Sequence, residues 1–179
     1  VYMLGIWRSA TEIGLYASVQ RIWQFLLIIP ATLAVPLLPI LSREANTDNV
    51  RFRNILEKSL ALTLIIGIPI TLGGIAFAEP IIRIIFGEGY LAAVPILRVI
   101  MTMSLLSFPL IPLSNAIFAY NKQKSLTVAY LSGIIGNVAL NILLIPQYGA
   151  VGSAIATLAS TTIITATVWM KMNKINHFE

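Results

Sequence analysis

Residues 13–41, 55–78, 92–120, 125–145 and 150–170 form five runs that are almost wholly apolar. Each is at least as long as the roughly 20 residues a helix needs to cross the hydrocarbon core of a bilayer. Little else constrains this chain so strongly. The runs predict an all-α, polytopic transmembrane helix bundle of about five complete spans. Composition says the same. The chain is 58% hydrophobic and 11% charged, where a soluble domain carries roughly 45–50% and about 25%. A soluble fold of this size has too much surface to hide that excess.

The connections are short and polar. "SREANTDNVRFRN" follows the first run, "NKQK" the third and "PQYG" the fourth. Between the second and third runs, "PIIRIIF" is too short to span and reads as an interfacial segment ended by Gly87 and Gly89. Residues 1–12 read as the end of a preceding span and an outer loop, residues 13–171 as the transmembrane bundle, and residues 172–179 as a cytoplasmic tail. The chain opens on Val1 within an apolar stretch, which suggests a cut inside a longer protein. Arg43, Arg51, Arg53, Lys58, Lys122, Lys124, Lys171 and Lys174 fall on one side of the expected membrane, and Arg8 and Arg83 on the other. The excess of basic residues on cytoplasmic loops then places the C-terminus in the cytoplasm. Pro30, Pro36, Pro39, Pro95, Pro109 and Pro112 lie inside apolar runs. A soluble helix tolerates them poorly. In a bundle, neighbouring helices can answer the freed carbonyls, so kinking is expected, with a hinge role as the alternative.

Several function classes drop out. There is no cysteine, hence no disulfide frame or thiol catalyst, and one histidine, His177, so no His-based zinc site. The net charge of +5 is not gathered into a basic cluster with interleaved aromatics, so nucleic acid is not an expected partner. No carboxylate pair, nucleophile–base pair or phosphate loop is visible. The reading is therefore a non-enzyme with neither metal nor cofactor.

The polar residues of the first run carry the functional signal. In "ASVQRIWQFLLIIP", Gln20, Arg21 and Gln24 fall within an arc of about 100°, with Tyr16 near its edge. Arg21 has two readings: its long stem carries the guanidinium to the headgroups, or the stripe lines a water-filled cavity and Arg21 meets an anion. No acidic residue is expected inside a span to pair with it, and the nearest, Glu12 and Glu88, are expected in loops. An unpaired guanidinium suits phosphate, which it grips with two parallel hydrogen bonds. Asn115, Asn121, Asn137 and Asn141 are expected to tie helices together, with contact to sugar hydroxyls as the alternative. Gly149, Ser153 and Thr157, and Ser132, Gly133 and Gly136, are small residues expected to let helices pack closely.

The ordered set "GLYASVQRIWQFLLIIPATLAVPLLPILSRE", "FGEGYLAAVPILRVI" and "NKQKSLTVAYLSGIIGNVALNILLIPQYGAVGSAIATLAS" resembles the C-terminal half of polysaccharide-unit flippases. These are the Wzx-type members of the multidrug/oligosaccharidyl-lipid/polysaccharide exporter superfamily. The resemblance implies one incomplete lobe of a two-lobe transporter in the cell membrane. It also implies export of an oligosaccharide linked to a polyprenyl phosphate or pyrophosphate, by alternating access around a cationic cavity. The other lobe would be a missing N-terminal half or a second copy. In the related lipid II flippases an arginine in the same setting faces the cavity, which assigns that role to Arg21. Tyr16, Gln20, Gln24 and Asn141 complete the candidate substrate contacts. A drug/cation antiporter of the same superfamily and a non-transporting membrane subunit are the competing readings.

Overall fold

The computed structural model describes residues 3–45 and 47–176. His177 and the last residues of the expected tail lie outside them. The described residues are helical almost throughout: α1 (Leu4–Trp7), α2 (Ala10–Leu26), α3 (Ile28–Glu44), α4 (Asn49–Ala76), α5 (Ala78–Phe86), a 3-10 segment (Glu88–Ala93), α6 (Val94–Thr102), α7 (Ser104–Ala119) and α8 (Gln123–Asn176). The chain is an all-α bundle.

Local chemistry explains most boundaries. Ser9 caps α2 by accepting the Glu12 N–H at 3.4 Å, and Glu12 lies in the first turn, a Ser-x-x-Glu start. Asp48 caps α4 by accepting the Arg51 N–H at 2.9 Å. Between α2 and α3 the chain kinks at Leu27, three residues before Pro30, which has no N–H for the Leu26 carbonyl. The first apolar run is thus two helices. The third is likewise α6 and α7, separated at Met103, where the Ser104 hydroxyl donates to the Met101 carbonyl at 2.5 Å. Beside Pro36 and Pro39, Asn115 of α7 donates to the Ala34 carbonyl at 3.0 Å, a cross-helix tie next to a proline-interrupted ladder. Asn121, with φ of 55°, closes α7, and the following N–H of Lys122 bonds back to the Ile117 carbonyl at 3.1 Å.

Four helical stretches are long and apolar enough to cross a membrane: Ala10–Glu44, Asn49–Ala76, Glu88–Ala119 and Gln123–Ile175. The fourth contains the last two expected spans. A straight helix of its 53 residues would be about 80 Å long, far beyond a bilayer. It is not straight. Gly149 has φ of 57° and ψ of −135°, and the chain reverses there into two antiparallel limbs, 123–148 and 150–176. Asn137 reaches Ser160 at 2.8 Å. A Cβ on Gly133 would lie 2.3 Å from Ile164, and one on Gly136 would lie 3.2 Å from Ile163. These partners are 23 or more positions apart in sequence, and only a hairpin brings them together. Gly149, expected both as the helix breaker of "PQYG" and as the start of a packing row with Ser153 and Thr157, is the turn.

Two hydrophobic cores result, one towards each end of the bundle. One gathers Leu4, Tyr16, Val19 and Trp23 of the N-terminal helices with Ile82, Ile96, Leu97 and Ile100, and with Ile145 and Ala154 of the hairpin. The other gathers Leu37, Leu41, Phe52, Leu56, Leu113, Ile117, Val168 and Met172.

Candidate functional site

The polar stripe of α2 divides between two faces. Tyr16 is buried and Gln20 half-buried, both turned towards the hairpin, whereas Arg21 and Gln24 are exposed. At about 100° per residue, Gly14, Ala17, Arg21, Gln24 and Ile28 share an arc of roughly 80°. This face is opposite to the one that buries Val19 and Trp23. Gly14 and Ala17 make one end of it small, Arg21 and Gln24 make its middle polar, and exposed Ile28 and Phe25 lie on it and at its edge. A Cβ on Gly14 would have nothing within 4 Å. Among the described residues Arg21 has no ion pair and no hydrogen bond.

The acids lie differently from expectation. Glu12 is not in a loop but in the first turn of α2, paired with Arg8 at 3.7 Å. Glu57 lies within α4, two turns from its start, and pairs with Arg53 at 2.7 Å. Glu88 opens the 3-10 segment. None of these reaches Arg21. Among the described residues no three His, Asp or Glu side chains gather as a metal ion would need.

Tyr16 and Gln20 line a cavity of about 340 Å³ between α2 and the hairpin, with Gly133, Ile134, Asn137, Thr157, Ser160, Thr161 and Ile164 as the other walls. Its hydrogen bonds can be followed proton by proton. Thr157 gives its hydroxyl proton to the Ser153 carbonyl at 2.8 Å. Gln20 donates to the Tyr16 oxygen at 3.0 Å. The Tyr16 hydroxyl therefore donates its own proton to Thr157 Oγ1, 3.4 Å away. Asn141, buried behind the wall, donates to both the backbone and side-chain oxygens of Asn137 at 2.8 Å. Asn137 in turn donates to Ser160 Oγ at 2.8 Å. That leaves the carboxamide oxygen and one N–H of Gln20, and one N–H of Asn137, unused. These are neutral donors and an acceptor in a charge-free cavity, a set that matches hydroxyl groups.

Asn141 thus supports the pocket from behind and does not line it. Asn137, Thr157, Ser160 and Thr161 do line it; the sequence offers Asn137 as an interhelical tie or a sugar contact and Thr157 as a packing residue, and does not single out Ser160 or Thr161. The signal that would have found them is the turn at Gly149: reversing the chain there puts Asn137 opposite Ser160.

With this geometry in view, the comparisons are decisive on family. A family model described as the lipid II flippase MurJ matches residues 9–179. The chain belongs to the lipid II flippase MurJ family. Relatives with curated names agree. A "Probable low-salt glycan biosynthesis flippase" of Haloferax volcanii is 22% identical over 92% of this chain and 35% of its own length. A second "Probable flippase" of the same organism is 26% identical over 90% of this chain and 34% of its own. A "Putative O-antigen transporter" of Shigella flexneri is 28% identical over 83% of this chain and 35% of its own. The chain therefore spans about a third of the length of these relatives. No solved structure matches it. Membership of a flippase family, with helices long enough to span, makes this a multi-pass membrane protein, as the resemblance in sequence implied.

Proposed function

We propose that this chain is one lobe, or most of one, of a transporter for lipid-linked oligosaccharides. The cargo is a glycan on a polyprenyl phosphate or pyrophosphate carrier, moved from the cytoplasmic to the outer leaflet of the cell membrane. A second lobe, from a longer polypeptide or a second copy, faces α2 and completes the path. The C-terminus lies in the cytoplasm, on the side richer in lysine and arginine. The process is transport without covalent chemistry.

The observation that carries this reading is Arg21. A guanidinium within a spanning helix costs about 2.5–3.5 kcal/mol at mid-membrane. Arg21 lies about two turns into its span beside Gly14, Ala17 and Gln24, with no carboxylate to offset its share of that cost. An anion arriving from outside the lobe fits it, and a carrier phosphate accepts its two-pronged donor set. Gln24 shares the exposed face. Tyr16, Gln20 and the Asn141-backed Asn137 offer neutral hydrogen bonds one helix face away, suited to sugar hydroxyls. Proton- or cation-coupled drug exchange would favour a carboxylate facing the path, and the α2 face presents none.

The test is Arg21→Ala in the full-length protein, scored by complementation of a flippase-null strain and normalised to membrane abundance. Export should be lost at normal abundance. Arg21→Lys should keep part of it, since charge survives and the fork does not. Gln24→Ala should cost less, a neutral hydrogen bond of about 1 kcal/mol. Wild-type export by Arg21→Ala would end the reading and leave snorkelling to the headgroups as the role of Arg21.

A further inference from the structure

We infer that the hollow at the N-terminal end of α2, walled by Tyr90, is a second sugar-binding subsite, which takes a neutral pyranose ring of the cargo. The subsite rests on the function proposed above, but either can fail without the other.

The hollow has a volume of about 410 Å³ and is lined by Ala10, Thr11, Gly14 and Leu15 of α2 and by Gly89 and Tyr90 of the 3-10 segment. That is within the size range of small-molecule sites. Two glycines leave it room: a Cβ on Gly14 or on Gly89 would have nothing within 4 Å. Tyr90 supplies an aromatic wall. Its ring rests against Phe86, with centroids 5.5 Å apart, and Tyr90 remains 38% exposed. Phe86 does not line the hollow, so it supports the ring from outside. The Tyr90 and Thr11 hydroxyls make no hydrogen bond among the described residues.

This set selects a sugar. A pyranose presents a face of C–H groups and a rim of hydroxyls. The C–H face, slightly positive, suits the negative face of a tyrosine ring. The Tyr90 and Thr11 hydroxyls can each donate or accept at the rim. An anion is disfavoured. None of the six lining residues is charged, and Glu88, next to Gly89, is exposed with no ion pair among the described residues. Arg8 and Glu12, at the start of α2, are engaged elsewhere. Arg8 donates from Nε and one terminal nitrogen to the Ile145 carbonyl at 3.1 and 2.9 Å, and from that same nitrogen to the Pro146 carbonyl at 2.7 Å. Glu12 accepts the Ala150 N–H at 3.2 Å. Together they cap the two helix ends at the hairpin turn. A tyrosine that only anchors the interface turns its ring to lipid and headgroups, whereas Tyr90 shares its hollow with α2.

Position ties the hollow to Arg21. Ala10, Gly14 and Arg21 lie within about 40° of one another round α2, and Arg21 is about 10 Å beyond Gly14 along it. A carrier phosphate at Arg21 leaves the hollow within reach of the sugars that follow it. The hollow lies on one flank of the Arg21 face, and Tyr16 and Gln20 lie on the other.

The test uses full-length protein in nanodiscs, with Ala10→Cys as its one cysteine and a charged maleimide as the label. Ala10 is exposed at the rim. The probes are a polyprenyl diphosphate carrying a glucose tetrasaccharide and the same lipid without sugar. The glycosylated lipid should slow labelling about fivefold, the size of one aromatic contact, and the bare lipid should not. Tyr90→Ala should remove that protection and Tyr90→Phe should keep most of it. Gly14→Leu, which fills the hollow from α2 and leaves the ring unaltered, should remove it too. Gln24→Cys, beside Arg21, is the control reporter, and both lipids should protect it in every variant. Protection at Gln24→Cys with none at Ala10→Cys would overturn the subsite and leave the transport function standing. Protection at Ala10→Cys that survives both Tyr90→Ala and Gly14→Leu would also overturn it. No protection at Gln24→Cys by either lipid would count against the Arg21 reading instead, with Ala10→Cys still deciding the hollow.

Discussion

At the scale of single residues, small side chains set what this bundle can do. Gly133 and Gly136 are both on the first hairpin limb, yet their substitution should differ sharply. An added methyl at Gly133 would sit 2.3 Å from Ile164 Cγ1, against the branch of a stiff side chain, whereas at Gly136 it meets only the tip of Ile163 at 3.2 Å. Gly133→Ala should cost about 1–3 kcal/mol, the range for overpacking, and Gly136→Ala well under that. Adding Ile164→Ala to Gly133→Ala should recover part of the loss. Thermal unfolding in micelles would rank the three, and equal costs at the two glycines would contradict the packing described. The close approach was legible in the sequence as a small-residue cluster. The division of the α2 stripe was not. Gln20 and Arg21 are adjacent, so an arc drawn on a bare helix puts both on one broad polar face. Only the position of the hairpin shows that Gln20 turns to a neighbour and Arg21 away from one.

At the scale of elements, the apolar runs located the helices because hydrocarbon tolerates little else. Their interruptions were harder to read. Pro30 announced the α2–α3 kink, but the break at Met103 precedes its nearest proline by six residues and depends on α4. There, with the Ser104 proton given to the Met101 carbonyl, Thr71 donates to Ser104 Oγ in a buried hydrogen bond, the Gly67 carbonyl 2.8 Å away being its alternative acceptor. The pair joins α4 to the start of α7. A double-mutant cycle with Thr71→Val and Ser104→Ala should return a coupling of about 0.6 kcal/mol, the mean for hydrogen bonds inside membranes. Additive losses would mean that the two hydroxyls act separately. The hairpin was legible as two runs flanking "PQYG", yet the partners it creates, Asn137 with Ser160 above all, depend on a register that no single run contains.

At the scale of the whole molecule, the proposed orientation rests on the uneven distribution of lysine and arginine between the loops. Lys122→Cys should react with impermeant thiol reagents only when the cytoplasmic side is opened, and Glu88→Cys from outside. The inverse pattern would reverse the proposed direction of transport. The two separate cores could not be foreseen, because each draws on helices distant in sequence. That distance bears on how the protein is made. Arg8 and its carbonyl partner Ile145 are 137 residues apart. At roughly 5–20 residues per second of synthesis, α2 waits on the order of ten seconds before the turn it grips exists. Through that interval a guanidinium and a carboxylate must be hydrated. Arg8, just ahead of α2, and Glu12, in its first turn, sit at a helix end and stay partly exposed, which allows it.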